Sequence, residues 1–324
     1  MKAIITTKYG SPDVLQLQDI EKPTPKDNEV LIKIYAASVT AADTMMRKGT
    51  PLFGRLFIGL TKPKHPIAGT GFSGTIEAIG NYVKLFQVGD EVFGESLFGA
   101  GTNAEYTCVP ENGVLTLKPS NLTHEELASI CDGPLTSWNF LKVIAEVQRG
   151  QSVLVNGASG SLGTAAVQLA KHLGAKVTGV CSTSNVDMVK SLGADHIINY
   201  TQTDFAKTGR TYDIIFDTVG KSSFAKCKKV LELNGIYLSP VLSLPLLFQM
   251  LWTSMFGSKK AKFSATGLKP VPELRLLLNE LKTLLESGQL KSVIDRCYPL
   301  EEVAEAHQYV DTGHKKGNLI VEML

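Results

Sequence analysis

Residues 152–163 read SVLVNGASGSLG, an apolar strand running straight into a small-residue turn. Glycine there permits a tight turn and lets backbone approach a pyrophosphate closely. A helical pattern at 164–173 follows, and a second apolar strand comes at 176–180. A helix N-terminus offers unpaired N–H groups and positive dipole character to phosphate. A glycine string alone is weak, but strand, turn, helix and strand in this order predict a dinucleotide-binding turn. Gly157, Ser159, Gly160, Ser161 and Leu162 would line it. The spacing is Gly-x-x-Gly-x-x-Gly, and Ala158 is tolerable there provided its φ stays negative.

The rest of the chain alternates around this turn. Strands are predicted at 152–156, 176–180, 196–199, 213–217, 235–238 and 262–265, with helical patterns between them. Such alternation argues for a parallel sheet covered by helices on both faces. The first third reads differently. Apolar runs at 30–34, 74–79, 91–93 and 104–109 lie between Gly, Pro and Asp turns, and residues 1–8 read as a first strand rather than a leader. Thr123 followed by Glu126 marks a capped helix start. The end is mixed, with a helix at 272–287, a strand at 292–295, a helix at 301–309 and a closing strand at 318–322. The expected fold class is α/β: a discontinuous β-rich domain at 1–121 and 266–324, and a doubly wound parallel-sheet domain at 122–265.

Composition narrows the function. Of 324 residues, 44% are hydrophobic and 20% charged, with a net charge of +2, which excludes an electrostatic case for nucleic acid. The five cysteines lack C-x-x-C spacing and are odd in number, which fits a reducing compartment such as the cytoplasm. Residues 236–257 carry no charge over a length that could span a bilayer, but serines, prolines, threonine and glutamine interrupt them. They read as a buried strand followed by an apolar helix, with a membrane-touching surface as the alternative. The basic run 259–262 reads as a solvated helix end.

The end of the second strand selects the nucleotide. NAD enzymes usually place an acid there, about 20 residues after the glycines, to hold the ribose 2′-hydroxyl. Here the chain reads Cys181-Ser182-Thr183-Ser184-Asn185, with no carboxylate before Asp187. Hydroxyls can donate to a 2′-phosphate that a carboxylate would repel, so NADPH is expected. Asp187 reads as a helix N-terminal acid instead.

Landmarks along nearly the whole chain resemble one family. Ala36-Ala37-Ser38-Val39-Thr40-Ala41-Ala42-Asp43, the 66–74 segment PIAGTGFSG, Val88-Gly89-Asp90-Glu91-Val92, Leu135-Thr136-Ser137-Trp138, Ser191-Leu192-Gly193-Ala194-Asp195 and Gly317-Asn318-Leu319-Ile320-Val321 resemble the zinc-free, quinone oxidoreductase-like and alkenal/enone reductase branch of the medium-chain dehydrogenase/reductase superfamily. The resemblance implies a GroES-like catalytic domain, a Rossmann domain and an active site in an apolar cleft between them. It also implies nucleotide contacts at Thr136, Gly160, Ser161, Leu162, Ser182 and Tyr200, with loops near Val219, Val241 and Asn318, and a homodimer. Ser184 stands where many relatives carry Lys. Tyr200 reads, alternatively, as a half-buried strand-end aromatic.

Zinc-dependent relatives supply Cys, His and Cys to a catalytic metal; the matching positions here are Thr40, Thr70 and Asp132. Threonine hydroxyls are poor zinc ligands, and the six histidines are scattered, each reading as a surface or satisfied core residue, so no metal site is expected. Without a Lewis acid, the nicotinamide needs an acceptor that is already electrophilic, such as a quinone or an α,β-unsaturated carbonyl. Thr40, Met45, Thr70, Phe98 and Leu242 are candidate walls for a small hydrophobic electrophile. Asp132 is the candidate proton donor, if burial raises its pKa. Asp43 reads first as a helix-start acid. Two rival readings stay open on the sequence: an NADPH-binding sensor or scaffold with little turnover, and a peripheral membrane oxidoreductase.

Overall fold

The structure is a computed structural model that describes residues 1–96 and 101–323. It divides into two units. One holds Met1–Asp132, Lys269–Glu286 and Ser292–Leu324; the other holds Gly133–Leu268 and Ser287–Lys291.

In chain order, β1 (Lys2–Thr6) and β2 (Leu15–Asp19) pair as an antiparallel ribbon. β3 (Glu29–Val39) is the spine of the first unit: it pairs β4 (Gly71–Ile79), β6 (Tyr106–Pro110) and the last strand. β5 (Glu91–Glu95) and β7 (Val114–Leu117) extend the sheet. Val30, Ile32 and Ile34, on one face of β3, join Phe72, Ile76, Val92 and Leu115 in one core. Helix α1 (Ala41–Lys48) leaves the end of β3, α2 (Arg55–Ile58) follows, and α3 (His124–Ala128) packs on β3, β4 and β5. That packing places α3 in the first unit, so the expected boundary at 121/122 moves to Asp132/Gly133; the return falls after Leu268 rather than at 265/266.

The second unit is built on a six-stranded sheet. α4 (Gly133–Trp138) precedes β8 (Ser152–Asn156), α5 (Ser161–His172) and β9 (Lys176–Cys181). Then come α6 (Val186–Ser191), β10 (His196–Asn199), β11 (Tyr212–Asp217) and α7 (Phe224–Cys227). β12 (Leu231–Ser239), α8 (Leu244–Met255) and β13 (Lys260–Phe263) complete it. All neighbours are parallel, in the order β10-β9-β8-β11-β12-β13. Counted from β8 this is the 3-2-1-4-5-6 order of the dinucleotide fold, which reverses between β8 and β11.

The chain then returns to the first unit through α9 (Val271–Glu286), β14 (Ile294–Pro299), α10 (Val303–Asp311) and β15 (Asn318–Glu322). The short run Ser287–Lys291 stays with the second unit because Gln168 bonds both the N–H and the carbonyl of Lys291.

Two expectations need correction. The basic run at 259–262 is not a solvated helix end: it enters edge strand β13, and the amines of Lys259, Lys260 and Lys262 donate to the carbonyls of Leu231, Thr253 and Ile144. The uncharged 236–257 run does form a buried strand and then an apolar helix, yet Leu244, Phe248, Leu251, Trp252 and Met255 of that helix are exposed. Among the described residues no helix is long and apolar enough to cross a membrane.

Candidate functional site

The turn between β8 and α5 has the form a nucleotide requires. Gly157 sits at φ +83, a left-handed conformation that a side chain resists, and a Cβ there would meet Thr218 Oγ1 at 2.8 Å. Gly163 brings the first turn of α5 onto the loop so closely that a Cβ would lie 2.0 Å from the Gly157 carbonyl. Gly160, by contrast, has nothing nearer than 3.7 Å to such a Cβ, which leaves room above it. Ala158 is buried and is not among the positive-φ residues, as its side chain demands. Gly160 caps α5 without a side chain, and the intrahelical ladder starts with Thr164 N–H to the Gly160 carbonyl at 2.9 Å. The helix end therefore carries a bare N-terminal turn in an apolar scaffold, which suits phosphate.

The end of β9 supplies hydroxyls. Ser182 is half-buried and Ser184 exposed, with Oγ atoms 3.3 Å apart. Asn185 donates to Ser182 Oγ at 3.2 Å, and Asn199 donates to Thr183 Oγ1 at 2.7 Å. Tyr200 follows β10, its N–H bonded to the Cys181 carbonyl, and its side chain is 57% exposed, too open for the half-buried alternative. Asp187 lies in the first turn of α6, where an acid complements the dipole. Val219 and Val241 are exposed after β11 and β12, next to the reversal of strand order, and Thr136 and Leu242 are half-buried in the same unit. Asn318 belongs to the other unit, buried at the start of β15, where its amide donates to the Val293 carbonyl.

Sequence reasoning missed Asp217, which ends β11 beside the reversal. It is fully buried and accepts from Asn156, Tyr237 and the Ser222 N–H. A buried carboxylate satisfied three times holds the loops on either side of the turn in place.

The first unit holds the remaining candidates. Thr40 is the N-cap of α1 and 2% exposed; its Oγ1 accepts from the Asp43 N–H, while its own N–H and hydroxyl donate to Asp43 Oδ2 at 2.8 and 2.7 Å. Asp43 thus closes a helix start, as expected. Burial pushes its carboxyl up to about 7, against the lowering effect of the Thr40 bonds. Glu95 at the end of β5 is pushed up to about 8, by burial first and then by Asp132 and Asp43. Lys315, half-buried before β15, is lowered by burial against the charges of Asp132, Asp295 and Asp43. Asp132 is half-buried at the turn before α4 and interacts with all three groups. Thr70 precedes β4 at the end of the pair where Ala37 meets Phe72, the same end as Thr40. Met45 is 38% exposed on α1, and Phe98 lies outside the described residues. Among the described residues, no three His, Cys, Asp or Glu side chains converge as a metal site would need. His307 corrects the expectation that each histidine is exposed or satisfied: it is fully buried, and neither ring nitrogen has a partner among the described residues.

Residues 26–119 match the alcohol dehydrogenase GroES-like domain family and residues 192–321 the zinc-binding dehydrogenase family. The chain is 32% identical to the chloroplastic NADPH-dependent alkenal/one oxidoreductase of Arabidopsis thaliana, over 99% of this chain and 79% of that one. It is 32% identical to the quinone oxidoreductase of Homo sapiens, over 97% and 94%. The solved quinone oxidoreductase of Coxiella burnetii superposes with a TM-score of 0.88 at 29% identity, covering 100% and 99%. With its GroES-like and Rossmann units both in place, the chain belongs to the quinone oxidoreductase-like branch of the medium-chain dehydrogenase/reductase superfamily of oxidoreductases.

Proposed function

We propose that the protein transfers hydride from NADPH to a quinone or an α,β-unsaturated carbonyl without a metal ion. The observation that carries the reading is the pairing of an intact phosphate-binding turn with a β9 end made of hydroxyls and no carboxylate. The similarity to an NADPH-dependent alkenal/one oxidoreductase supports the same choice. Bound NADPH would supply the hydride. Around it, Gly157, Ser159, Gly160, Ser161 and Leu162 would hold the pyrophosphate, Ser182, Ser184 and Tyr200 the adenosine end, and Thr136, Val219, Val241 and Asn318 the remainder. On the acceptor side, Thr40, Met45, Thr70, Phe98 and Leu242 would form the walls, orienting the acceptor and excluding water. Asp132 would hold the proton that follows the hydride, within a cluster whose neighbours Asp43 and Glu95 retain protons near neutrality. Metal independence rests on the donor set: two threonines and an aspartate stand where zinc enzymes place strong ligands. The five free cysteines suit a reducing cytoplasm.

The test is NADPH and NADH oxidation against quinones, an enal, an enone and a simple aldehyde, with and without EDTA. EDTA-resistant oxidation of NADPH by a quinone or enone is expected. Activity lost to chelator and restored by zinc refutes metal independence. Tight NADPH binding with no turnover moves the protein to the sensor reading.

The exposed face of α8 favours an additional reading, a homodimer over a membrane anchor. Phe248, Trp252 and Met255 are 70%, 65% and 74% exposed, and the helix leads into β13, which sits at the sheet edge with one described neighbour. The lysine amines beside it are engaged with backbone carbonyls rather than offered to head groups. Sedimentation should give a dimer that Trp252→Asp converts to monomer. Flotation of the wild-type chain with anionic vesicles would favour the membrane instead.

A further inference from the structure

A cavity of about 340 Å³ opens within the first unit, lined by residues of β1, α1 and the segment before β4. Its volume falls in the range of small-molecule sites. Met46, Ile58, Pro63 and Ile67 give it apolar walls. Tyr9, Lys64 and His65 also line it, and so do three buried polar residues: Thr6 at the end of β1, and Asp43 and Arg47 one turn apart on α1. They are 4%, 1% and 2% exposed.

Each of the three leaves one polar atom without a partner among the described residues: Thr6 Oγ1, Asp43 Oδ1 and Arg47 Nε. None is loose. Asp43 is held through its other oxygen by Thr40. Arg47 is fixed by donation to the Gly10 carbonyl at 2.8 Å and to Asp311 at 2.6 Å. The Thr6 backbone donates to the Pro66 carbonyl at 2.7 Å. Buried polar atoms are nearly always paired, and leaving three unpaired around one cavity is costly unless something else pairs them. Three such atoms could hold a single water, but about 340 Å³ between apolar walls leaves room for a larger apolar body.

We propose that this cavity is a binding site for a small neutral amphiphile, an apolar body carrying a hydroxyl or carbonyl head that pairs with Arg47, Thr6 and Asp43. An acceptor oxygen on the head takes the Arg47 Nε–H, and a hydroxyl on it exchanges hydrogen bonds with Thr6 and Asp43. The Asp43 carboxyl, raised to about 7, suits an uncharged head over a cationic one. Asp43 links the cavity to the cluster around Asp132, but Thr40, Met45, Thr70 and Leu242 do not line it, so binding here is read separately from turnover.

The test uses 2-naphthol, an apolar bicycle with one hydroxyl, titrated calorimetrically into the full chain with NADPH saturating. One equivalent should bind. Thr6→Val, which keeps shape and removes the hydroxyl, should weaken it several-fold, and Ala68→Phe, which fills the cavity, should abolish it. Both variants should keep wild-type melting behaviour and NADPH affinity. Absence of binding to the wild type, or equal binding to folded Ala68→Phe, overturns the proposal. Loss of quinone reduction together with naphthol binding in Ala68→Phe also overturns it, because the cavity would then be the acceptor site itself.

Discussion

Replacing Ser182 by Asp puts the choice of nucleotide to a quantitative test. The Ser182 hydroxyl sits 3.3 Å from Ser184 Oγ and 3.2 Å from the Asn185 amide, at the end of β9 where a ribose 2′ substituent would lie. Losing a hydroxyl donor to the phosphate costs about 1.5 kcal/mol, the low end for a charged acceptor at a partly open site. The new carboxylate adds repulsion. At about 4 Å two unit charges repel by about 1 kcal/mol in water and by about 4 kcal/mol at an effective dielectric of about 20. Ser182 is half-buried and Ser184 exposed, so the lower part of that span applies. Together the terms give about 2.5–4 kcal/mol, a loss of roughly seventy-fold to several-hundred-fold in NADPH affinity. NADH has no phosphate to repel, and the carboxylate can accept from its 2′-hydroxyl, so its affinity should hold or rise. Equilibrium titration of nicotinamide fluorescence at low and high salt reads both. The NADPH loss should shrink as salt rises, since the site is partly open. Equal weakening of NADPH and NADH, or a loss insensitive to salt, would refute the placement of the 2′-phosphate at Ser182.

Other perturbations probe the scaffold. Gly163→Val should destabilise by about 3 kcal/mol or more and abolish nucleotide binding, because its Cβ would lie 2.0 Å from a backbone oxygen; thermal melting checks it. Asp43 holds its proton to about pH 7 when folded, against about pH 4 unfolded, so its contribution is full below about pH 4 and is lost as pH rises towards about 7. Urea midpoints taken between about pH 5 and about pH 7 should therefore fall less steeply with rising pH in Asp43→Asn than in the wild type. His307 has the opposite sign. Burial and the nearby Arg47 lower it to about 3, so its contribution is present above about pH 6.5 and lost as pH falls towards about 3. His307→Leu should lower the acid-denaturation midpoint; an unchanged midpoint would show that the ring is already solvated.

Much of the fold was legible because its signals are local. The strand and glycine pattern at 152–163, the β-α-β alternation behind it and the Thr123/Glu126 capping box are each decided within a few residues, and all appear where expected. The boundary before α4 was misplaced because α3 belongs by helical pattern to the α-rich half, yet its neighbours are β3, β4 and β5. The 244–255 helix was legible as a helix but not as an exposed one, since hydropathy reads the same on a core face and on an uncovered face. The cluster of ionisable groups around Asp132 was visible only in part. Asp132 stood out by its match to a metal-ligand position, whereas Glu95 and Lys315 lie far from it in sequence and meet it only through the fold. Asp217 gave no local signal either, because its three partners come from β8, the loop after β11 and β12.

The central claim is direct hydride transfer to a conjugated acceptor without a metal. The most direct measurement uses EDTA-dialysed protein, NADPH deuterated at nicotinamide C4 and an α,β-unsaturated ketone, with the product read by NMR. The account predicts deuterium at the β-carbon and a proton from solvent at the α-carbon. Product without deuterium at the β-carbon, or turnover that appears only after zinc is restored, would contradict it.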